Sequence, residues 1–318
     1  MELHYLLRAP TYPDADADLG KHSFTYSLLP HKGDLVASDV MAEASLLNQP
    51  VSVFAGSSIR AVSALPVQVE SDSVQLEVLK KAEKEDCLVI LPVDSIEQHG
   101  PHLPVQVDAL LATEVSLGAA SRFNPPEKAI VAPTVWCGLA EHHMDLGGTF
   151  TLDHSTYHAL IRCLCRSIQR HGFRRISVVN GHGGNIHALH VIAAELKQEL
   201  DLRILVCTYW TLPDVAKSFA EILEKQSNVR HAGEAETSML LHLKPDLVDQ
   251  DALQQADGPA ELKMMGPGAY RWNSFKSMSP NGVIGFPSAA SAEKGAKLLT
   301  AASEGLFRLL EEPDSWAD

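Results

Sequence analysis

A short apolar run at residues 87–91 constrains the fold of this chain more than any other feature. The run, CLVIL, is continuously apolar and partly β-branched, which is typical of a strand that is buried on both faces of a parallel sheet. Pro92 and the polar residues after it end this strand. Two later runs, RISVV at 175–179 and RILVC at 203–207, have the same strand composition. The sequence therefore predicts an α/β protein with a mostly parallel sheet.

The chain divides into two parts near residue 70. Residues 1–70 combine alternating apolar positions with proline-rich loops, which predicts a β-rich segment. Residues 71–318 are predicted to form one domain in which strands and helices alternate. The spacing of apolar residues predicts helices at 71–85, 155–169, 189–196, 214–225 and 294–310.

The densest group of polar side chains directly follows the first strand. It is the stretch EQHGPHLP at 97–104, and Asp108 closes it. If the backbone stays extended there, Glu97 and His99 project to the same side and can reach one ion. Asp108 begins a helical pattern, where a carboxylate either satisfies free backbone amides or bridges to the ion. Two carboxylates and an imidazole with no nearby thiol favour zinc, manganese or iron(II).

A second group, NGHGGN at 180–185, lies between the strand at 175–179 and the helix at 189–196. This order places His182 at the carboxyl end of a strand, where open α/β sheets build their sites. Asn185 is predicted to cap the helix that follows. A phosphate-binding loop is the alternative, but the lysine of a nucleotide-binding P-loop is missing and the glycine spacing does not fit the dinucleotide fingerprint.

A third group, HAGEAETS at 231–238, leads into another helical pattern. Glu234 and Glu236 fall in its first turn, where the helix macrodipole favours anions, so capping is the alternative to a role in the site. If the chain returns to the carboxyl edge of the sheet here, His231 can act as general acid and base beside the metal, because histidine titrates near working pH.

The composition excludes several classes of partner. Acidic residues outnumber basic ones by 40 to 26, which gives a net charge of −14, so nucleic acid is not an expected partner. No apolar run approaches the roughly 18 residues that span a bilayer. The first residues also lack the basic start of a secretory signal. We expect a cytoplasmic enzyme that acts on a small molecule and not at a membrane.

In this order, the three groups resemble the motifs of the creatininase, or creatinine amidohydrolase, family. The matching segments run from about residue 87 to 310 and include GGT at 147–149 and SAEKG at 291–295. The resemblance implies a three-layer α/β/α fold, a metal site at the carboxyl edge of the sheet, hydrolysis of a non-peptide C–N bond, and a homo-oligomer, commonly a hexamer. It matches His231 to the catalytic histidine. It also matches four residues to metal ligands: Glu97, His99, Asp108 and His182. Of these, Asp108 is the expected bridge if two ions bind.

Three positions depart from the family pattern. Creatininases carry a tyrosine and then a metal-binding glutamate after the histidine of the second motif, where this chain has Gly183 and Gly184. Ala140 stands where a substrate-contacting serine is expected. One carboxylate ligand is therefore missing, and creatinine is not the expected substrate.

The missing carboxylate leaves several arrangements open. Either Glu236 or Glu234 replaces it, or the second ion binds more weakly, or only one ion binds. We assign Glu236 as a metal ligand, and His231 and Glu234 as catalytic residues. The Gly-Gly form of the motif resembles family members with other substrates, including formamidopyrimidine deformylases and enzymes that process a peptide-derived redox cofactor. We therefore expect a metal-dependent amidohydrolase that cleaves a cyclic amide or a formamide.

The segment WCGLAEHHM at 136–144 is expected to line the pocket. His142 and His143 are interpreted as pocket residues and not as ligands. Trp136 and Met144 suit the pocket and the core equally well.

About residues 1–85 resemble a different family. The stretches LLRAPTYP at 6–13 and HSFTYSLLPHKGD at 22–34 are similar to the C-terminal β-sandwich region of family 38 α-mannosidases. The nucleophile and metal site of those enzymes belong to a separate domain, so glycosidase activity is not implied. The resemblance motivates one alternative function, a carbohydrate-associated binding protein. Gly184 motivates another, an inactive relative with a degenerate metal site.

Overall fold

A four-stranded parallel sheet forms the centre of the structure. The computed structural model describes residues 86–261 and 271–317. Within them the strands lie in the order β2-β1-β3-β4, and all neighbours are parallel. The three predicted strands and their parallel arrangement are confirmed, whereas β2 is too short to show a sequence pattern. The strands are Leu88–Val93 (β1), Ala129–Val131 (β2), Arg175–Asn180 (β3) and Arg203–Thr208 (β4).

The register of the sheet aligns the carboxyl ends of three strands. Val93 of β1 pairs with Asn180 of β3, which in turn pairs with Thr208 of β4. The chain segments that follow β1 and β3 therefore leave the sheet at the same edge and the same level. The polar stretches at 97–104 and 180–185 therefore both start near this edge.

Eight α-helices accompany the sheet in the part of the chain that the structure describes. They are Val107–Ala120 (α1), His154–Arg170 (α2), Ile186–Glu199 (α3), Pro213–Ile222 (α4), Glu234–Leu243 (α5), Gln250–Leu253 (α6), Phe275–Met278 (α7) and Ala292–Glu311 (α8). Among these described helices, none is long and apolar enough to cross a membrane.

The predicted helix positions are confirmed to within a few residues. At its C-terminal end, α4 was expected to reach residue 225 but ends at Ile222 because Leu223 is extended. The predicted helix at 71–85 and the β-rich segment at 1–70 lie outside the described residues. The domain boundary near residue 70 therefore stays a prediction.

The sheet separates two apolar cores, which makes the fold three-layered. Successive residues of a strand point to opposite faces. Ile90 packs in the core that α1, α4, α5 and α8 cover, whereas Leu91 packs in the core that α2 and α3 cover. The central strand is thus buried on both faces, and the expected α/β/α fold is confirmed.

Helices α5 and α8 approach each other closely at Gly295. A Cβ atom built on Gly295 would overlap with the backbone carbonyl oxygen of Ser238 in α5. Ser291 reinforces the contact, since its amide donates to Oγ of Ser238 at 3.2 Å while its own Oγ caps α8 by accepting from the Lys294 amide at 3.2 Å. This packing holds α5, which carries Glu236, against the rest of the layer.

Replacing Gly295 with alanine should destabilise the protein by about 1–3 kcal/mol, because the added methyl group forces the two helices apart. Thr300→Ala, on the exposed side of α8, is the control and should change the free energy of unfolding by less than about 0.5 kcal/mol. Equilibrium unfolding in urea measures both variants. Wild-type stability of Gly295→Ala would contradict the close helix contact.

Candidate metal centre and active site

The five predicted metal ligands meet at the carboxyl edge of the sheet. Glu97 and His99 follow β1, and His182 follows β3. Asp108 and Glu236 lie in the first turns of α1 and α5. At most 6% of the surface of each residue is exposed. Buried carboxylates and imidazoles are stable at this density only when they pair with one another or with a metal ion.

Three groups of ligand atoms among the described residues could hold an ion, and the two that share Asp108 are called triads. Glu97, Asp108 and His182 form the first triad. One ligand atom from each residue lies within 4.8 Å of the other two. Nδ1 of His182 is 2.8 Å from Oε2 of Glu97 and 3.1 Å from Oδ2 of Asp108. Oxygen and nitrogen donors grouped in this way can surround one divalent ion.

His99, Asp108 and Glu236 form the second triad. Nε2 of His99 is 3.1 Å from Oδ1 of Asp108 and 3.7 Å from Oε2 of Glu236. Asp108 thus directs one oxygen to each triad. Because both of its oxygens contact imidazoles, the geometry favours a bridging carboxylate over a helix cap.

Backbone carbonyl groups orient both imidazoles. Nε2 of His182 donates to the carbonyl of Leu139 at 3.1 Å, and Nδ1 of His99 donates to the carbonyl of Glu97 at 3.0 Å. The other ring nitrogen of each histidine therefore faces the carboxylates, as it does in metal sites. Oε2 of Glu97 and Nε2 of His99 lie near their partners but form no well-directed hydrogen bond. The donor set fits zinc, manganese or iron(II).

The charges in the two triads depend on one another. Burial disfavours an imidazolium at His99, but Asp108 and Glu236 outweigh burial and raise the pKa of His99 to about 10. Burial opposes the charge on His182 as well, yet Glu97 and Asp108 raise its pKa well above the ordinary value. Burial raises the pKa of Glu236 to about 8. The carboxylates thus attract positive charge, which a divalent ion supplies in exchange for protons.

His231 lies beside both triads, on the loop before α5, and forms the third possible ligand group with Glu97 and His99. Its Nε2 donates to the carbonyl of Gln98 at 2.7 Å, and its Nδ1 is 3.4 Å from Oε1 of Glu97. Burial, reinforced by His99, lowers the pKa of His231 well below its ordinary value. The ring is therefore neutral, with Nδ1 as a proton acceptor that faces the cluster. This is the position predicted for a general acid and base.

The backbone next to His231 is strained, and Glu236 holds it. Ala232 has a φ of 53°, in the left-handed region that disfavours residues with a Cβ by roughly 1–2 kcal/mol. Its amide donates to Oε2 of Glu236 at 2.6 Å. Glu236 therefore ties the position of His231 to the second triad.

Glu234 lies outside the cluster, and its predicted catalytic role is not supported. Its fully buried carboxylate accepts from the amides of Glu224 and Lys225, both at 2.8 Å. It also accepts from Nζ of Lys294 at 2.7 Å. These contacts join the loop after α4 to α8, and of the two glutamates only Glu236 lies in the cluster of possible ligands.

Asn185 does not cap α3 as predicted. It occupies the N-cap position, but its side chain makes no capping hydrogen bond. Instead, Oδ1 accepts from the amide of Leu139 at 2.9 Å, and Nδ2 donates to the carbonyl of Asp94 at 3.3 Å. Asn185 thus connects the loops that follow three different strands, which a local sequence pattern does not reveal.

Gln98 is a site residue that the sequence did not identify. The alternation of an extended backbone places it opposite Glu97 and His99, so the motif offers no signal for it. Its Nε2 donates to Nδ1 of His143 at 2.9 Å, and Nε2 of His143 lies 3.3 Å from Oε1 of Glu97. Gln98 therefore selects the tautomer in which His143 donates to Glu97.

A cavity of about 670 Å³ opens beside the cluster. Gly183 and Gly184 form part of its wall, together with His142, Trp272 and Phe275. A Cβ atom on Gly183 would meet no atom within 4 Å, so the cavity is open at this point. The cavity therefore reaches the loop that carries His182.

Position 184 has no room for a side chain in this backbone. A Cβ atom on Gly184 would overlap with the carbonyl oxygen of Leu139 and with Nε2 of His182. The carbonyl that orients His182 thus occupies the space next to Gly184. This backbone therefore excludes a side-chain ligand at position 184, so any carboxylate that replaces the missing one belongs to another element.

Two residues of the predicted pocket segment lie at the surface. Trp136 is 53% exposed and Met144 is 44% exposed, so neither belongs to the core. Trp136 contacts Phe150 edge-to-face, with ring centroids 5.9 Å apart. His142 lines the cavity as expected, whereas His143 is buried inside the cluster.

The sequence comparisons agree with this geometry. A family model described as creatininase, creatinine amidohydrolase, matches residues 73–310. The chain belongs to the creatininase family. It is 34% identical over 214 residues to the mycofactocin precursor peptide peptidase of Mycolicibacterium smegmatis, covering 66% of this chain and 79% of that protein. It is 30% identical over 244 residues to the creatinine amidohydrolase of Pseudomonas putida, covering 71% and 90%.

Solved creatininase structures share the fold. A putative creatinine amidohydrolase from Bacteroides fragilis is 27% identical, with a TM-score of 0.60 over 74% of this chain and 92% of that chain. A manganese creatininase is 27% identical, with a TM-score of 0.58 over 73% and 92%. A mutant creatininase of a Zn-Zn type is 26% identical, with a TM-score of 0.58 over the same shares. The chain is a creatininase-family hydrolase, and the family resemblance is confirmed.

The mannosidase resemblance is also confirmed, but it is partial. The chain is 42% identical over 99 residues to human alpha-mannosidase 2C1, which covers 31% of this chain and 10% of that protein. The match spans only a small part of the mannosidase, so it carries no glycosidase activity over to this chain.

The two neighbouring glutamates should behave differently on mutation. Glu236→Gln should weaken metal binding at least tenfold, because the second triad loses its charged ligand. Glu234→Gln should retain the metal and lower the stability by about 1–3 kcal/mol, because Lys294 loses a buried charged partner. Elemental analysis with calorimetric titration measures the first effect, and urea unfolding measures the second. If Glu234→Gln loses the metal and Glu236→Gln retains it, Glu234 is the ligand instead.

Proposed function

We propose that this chain is a metal-dependent amidohydrolase that uses water to cleave a C–N bond of a small molecule. The observation that carries the proposal is the pair of buried triads that share Asp108. In this proposal Glu97 and His182 would hold one divalent ion, His99 and Glu236 would hold a second, and Asp108 would contribute to both. Zinc, manganese and iron(II) are the candidates.

Glu236 replaces the carboxylate that is missing at Gly184. Three observations support this choice: Glu236 is close to His99, Glu234 is engaged with Lys294, and position 184 lacks space. A site with a single ion remains the competing arrangement, and metal counting distinguishes the two.

The side chains have distinct tasks in the proposed reaction. When bound, the ions supply Lewis acidity and lower the pKa of water towards neutrality. Nδ1 of His231 accepts the proton of the attacking water and later returns it to the leaving nitrogen, because an amide anion is a poor leaving group. His143 and Gln98 hold Glu97 in position through their hydrogen bonds.

Two substrate classes remain in the proposal. A cyclic amide or a formamide follows from the motif pattern, and Gly184 argues against creatinine itself. A peptide bond is the second candidate, because several relatives are named precursor peptide peptidases. The cavity of about 670 Å³ is also large enough for an extended substrate.

The partners of the protein are part of the same proposal. The net charge of −14 supports a small-molecule substrate over nucleic acid. The homo-oligomer, commonly a hexamer in the family, stays a prediction that light scattering on the full chain tests.

Hydrolysis should require the metal and the triads. The full chain, loaded with Zn²⁺ or Mn²⁺, is incubated with cyclic amides, formamides and short peptides, and the released amine is measured. We expect activity that a chelator removes and added metal restores. Replacing Glu97, His99 or Asp108 with alanine should remove both the activity and the bound metal while the fold is retained. Full activity in any of these variants would contradict the metal-site assignment.

His231 should affect turnover without affecting metal content. His231→Asn should lower kcat by about 10²- to 10⁴-fold, because proton transfer to the leaving nitrogen is lost. Elemental analysis of the same sample is the control, since loss of metal would make His231 a ligand instead. An unchanged kcat would remove His231 from the mechanism.

A further inference from the structure

Asp94, directly after β1, is a buried carboxylate that the roles described above do not use. It has no exposed surface, and neither of its oxygens has a well-directed hydrogen-bond partner. The amide of Gly181 donates to the carbonyl of Val93 at 3.1 Å and is close enough to Asp94 to oppose the rise in its pKa slightly. A buried carboxylate without hydrogen bonds is strongly disfavoured unless another interaction compensates for its lost hydration.

The Asp94 carboxylate lies next to the segments that carry two proposed ligands. A Cβ atom built on Gly181 would overlap with Oδ1 of Asp94 and would lie 2.9 Å from Cβ of Ala112. Gly181 immediately precedes His182, and Ala112 lies one helical turn after Asp108 on the same face of α1. Asp94 therefore sits behind the first triad.

Asp94 is not a ligand of either triad. The groups of described residues that can surround an ion do not include it. The charged side chains that influence it most are Asp108, His182 and Glu97. Burial, reinforced by Asp108, raises the pKa of Asp94 well above the ordinary value. A negative charge on Asp94 is therefore unfavourable when the other carboxylates are not balanced by a cation.

We propose that Asp94 is an outer anion of the metal centre, which strengthens cation binding without contacting the cations. This inference rests on the proposed function. Two divalent ions carry four positive charges, whereas the ligand carboxylates Glu97, Asp108 and Glu236 carry three negative charges. A fourth buried carboxylate makes the cluster neutral, and a buried charge is stable only when it is compensated.

The test is the variant Asp94→Asn in the full chain, which keeps the shape of the side chain and removes its charge. Calorimetric titration with Mn²⁺ and with Zn²⁺ should show affinities that are about 10- to 100-fold weaker than those of the wild type. The metal-free variant should melt at the same temperature as the metal-free wild type or higher, because an unfavourable buried charge is gone. The stabilisation on adding metal should be smaller.

Ser116→Ala is the matched control. Oγ of Ser116 is also buried without a hydrogen-bond partner, but it carries no charge. This variant should bind both metals with the wild-type affinity. Asp94→Ser provides a second uncharged variant if asparagine prevents folding.

Three results would overturn the inference. The first is wild-type metal affinity in an uncharged Asp94 variant. The second is equal destabilisation of the metal-free and metal-loaded forms, which would make Asp94 a structural residue. The third is loss of folding in both variants, since Asp94 would then be necessary without any metal. A wild-type chain that binds no ion would refute the proposed function as well, whereas normal binding by the wild type and by Asp94→Asn would refute only this inference.

Discussion

The contact of Asp108 with two histidines is the interaction on which the rest of the site depends. One oxygen faces His99 and the other faces His182, so a single buried carboxylate belongs to both triads. Its position follows from the start of α1, which packs on the same face of the sheet as Ile90. Because the charge is buried, it must be compensated by nearby positive charge. The fold therefore brings histidines from two strand ends to the same carboxylate.

The parallel register explains how distant motifs form one centre. Val93 and Asn180 are paired neighbours, so the loops that follow them begin side by side although they are far apart in sequence. The third motif arrives on α5, which α8 holds in place through the close contact at Gly295. The catalytic histidine candidate, His231, then lies next to Glu97 at the same edge.

The loop after β3 shows how this family member differs from the expected pattern. The carbonyl of Leu139 orients His182 and fills the space beside Gly184. Glu236 of α5 lies close to His99 and Asp108, and Gly183 leaves the wall of the cavity open. In the proposed site, the same pair of glycines therefore requires the carboxylate ligand to come from another element and leaves more space for a substrate.

The sequence by itself determined the class of the fold, the three main strands and four residues of the buried cluster, Glu97, His99, Asp108 and His182, because apolar runs and dense polar motifs are local patterns. It did not determine which carboxylate of the third motif enters the site. Glu234 and Glu236 are two residues apart in one helical turn, so they point to nearly opposite sides of α5. Only the packing of that helix turns Glu236 towards His99 and Glu234 towards Lys294. The roles of Gln98 and Asn185 were likewise decided by tertiary structure, since their hydrogen bonds join loops that are distant in sequence.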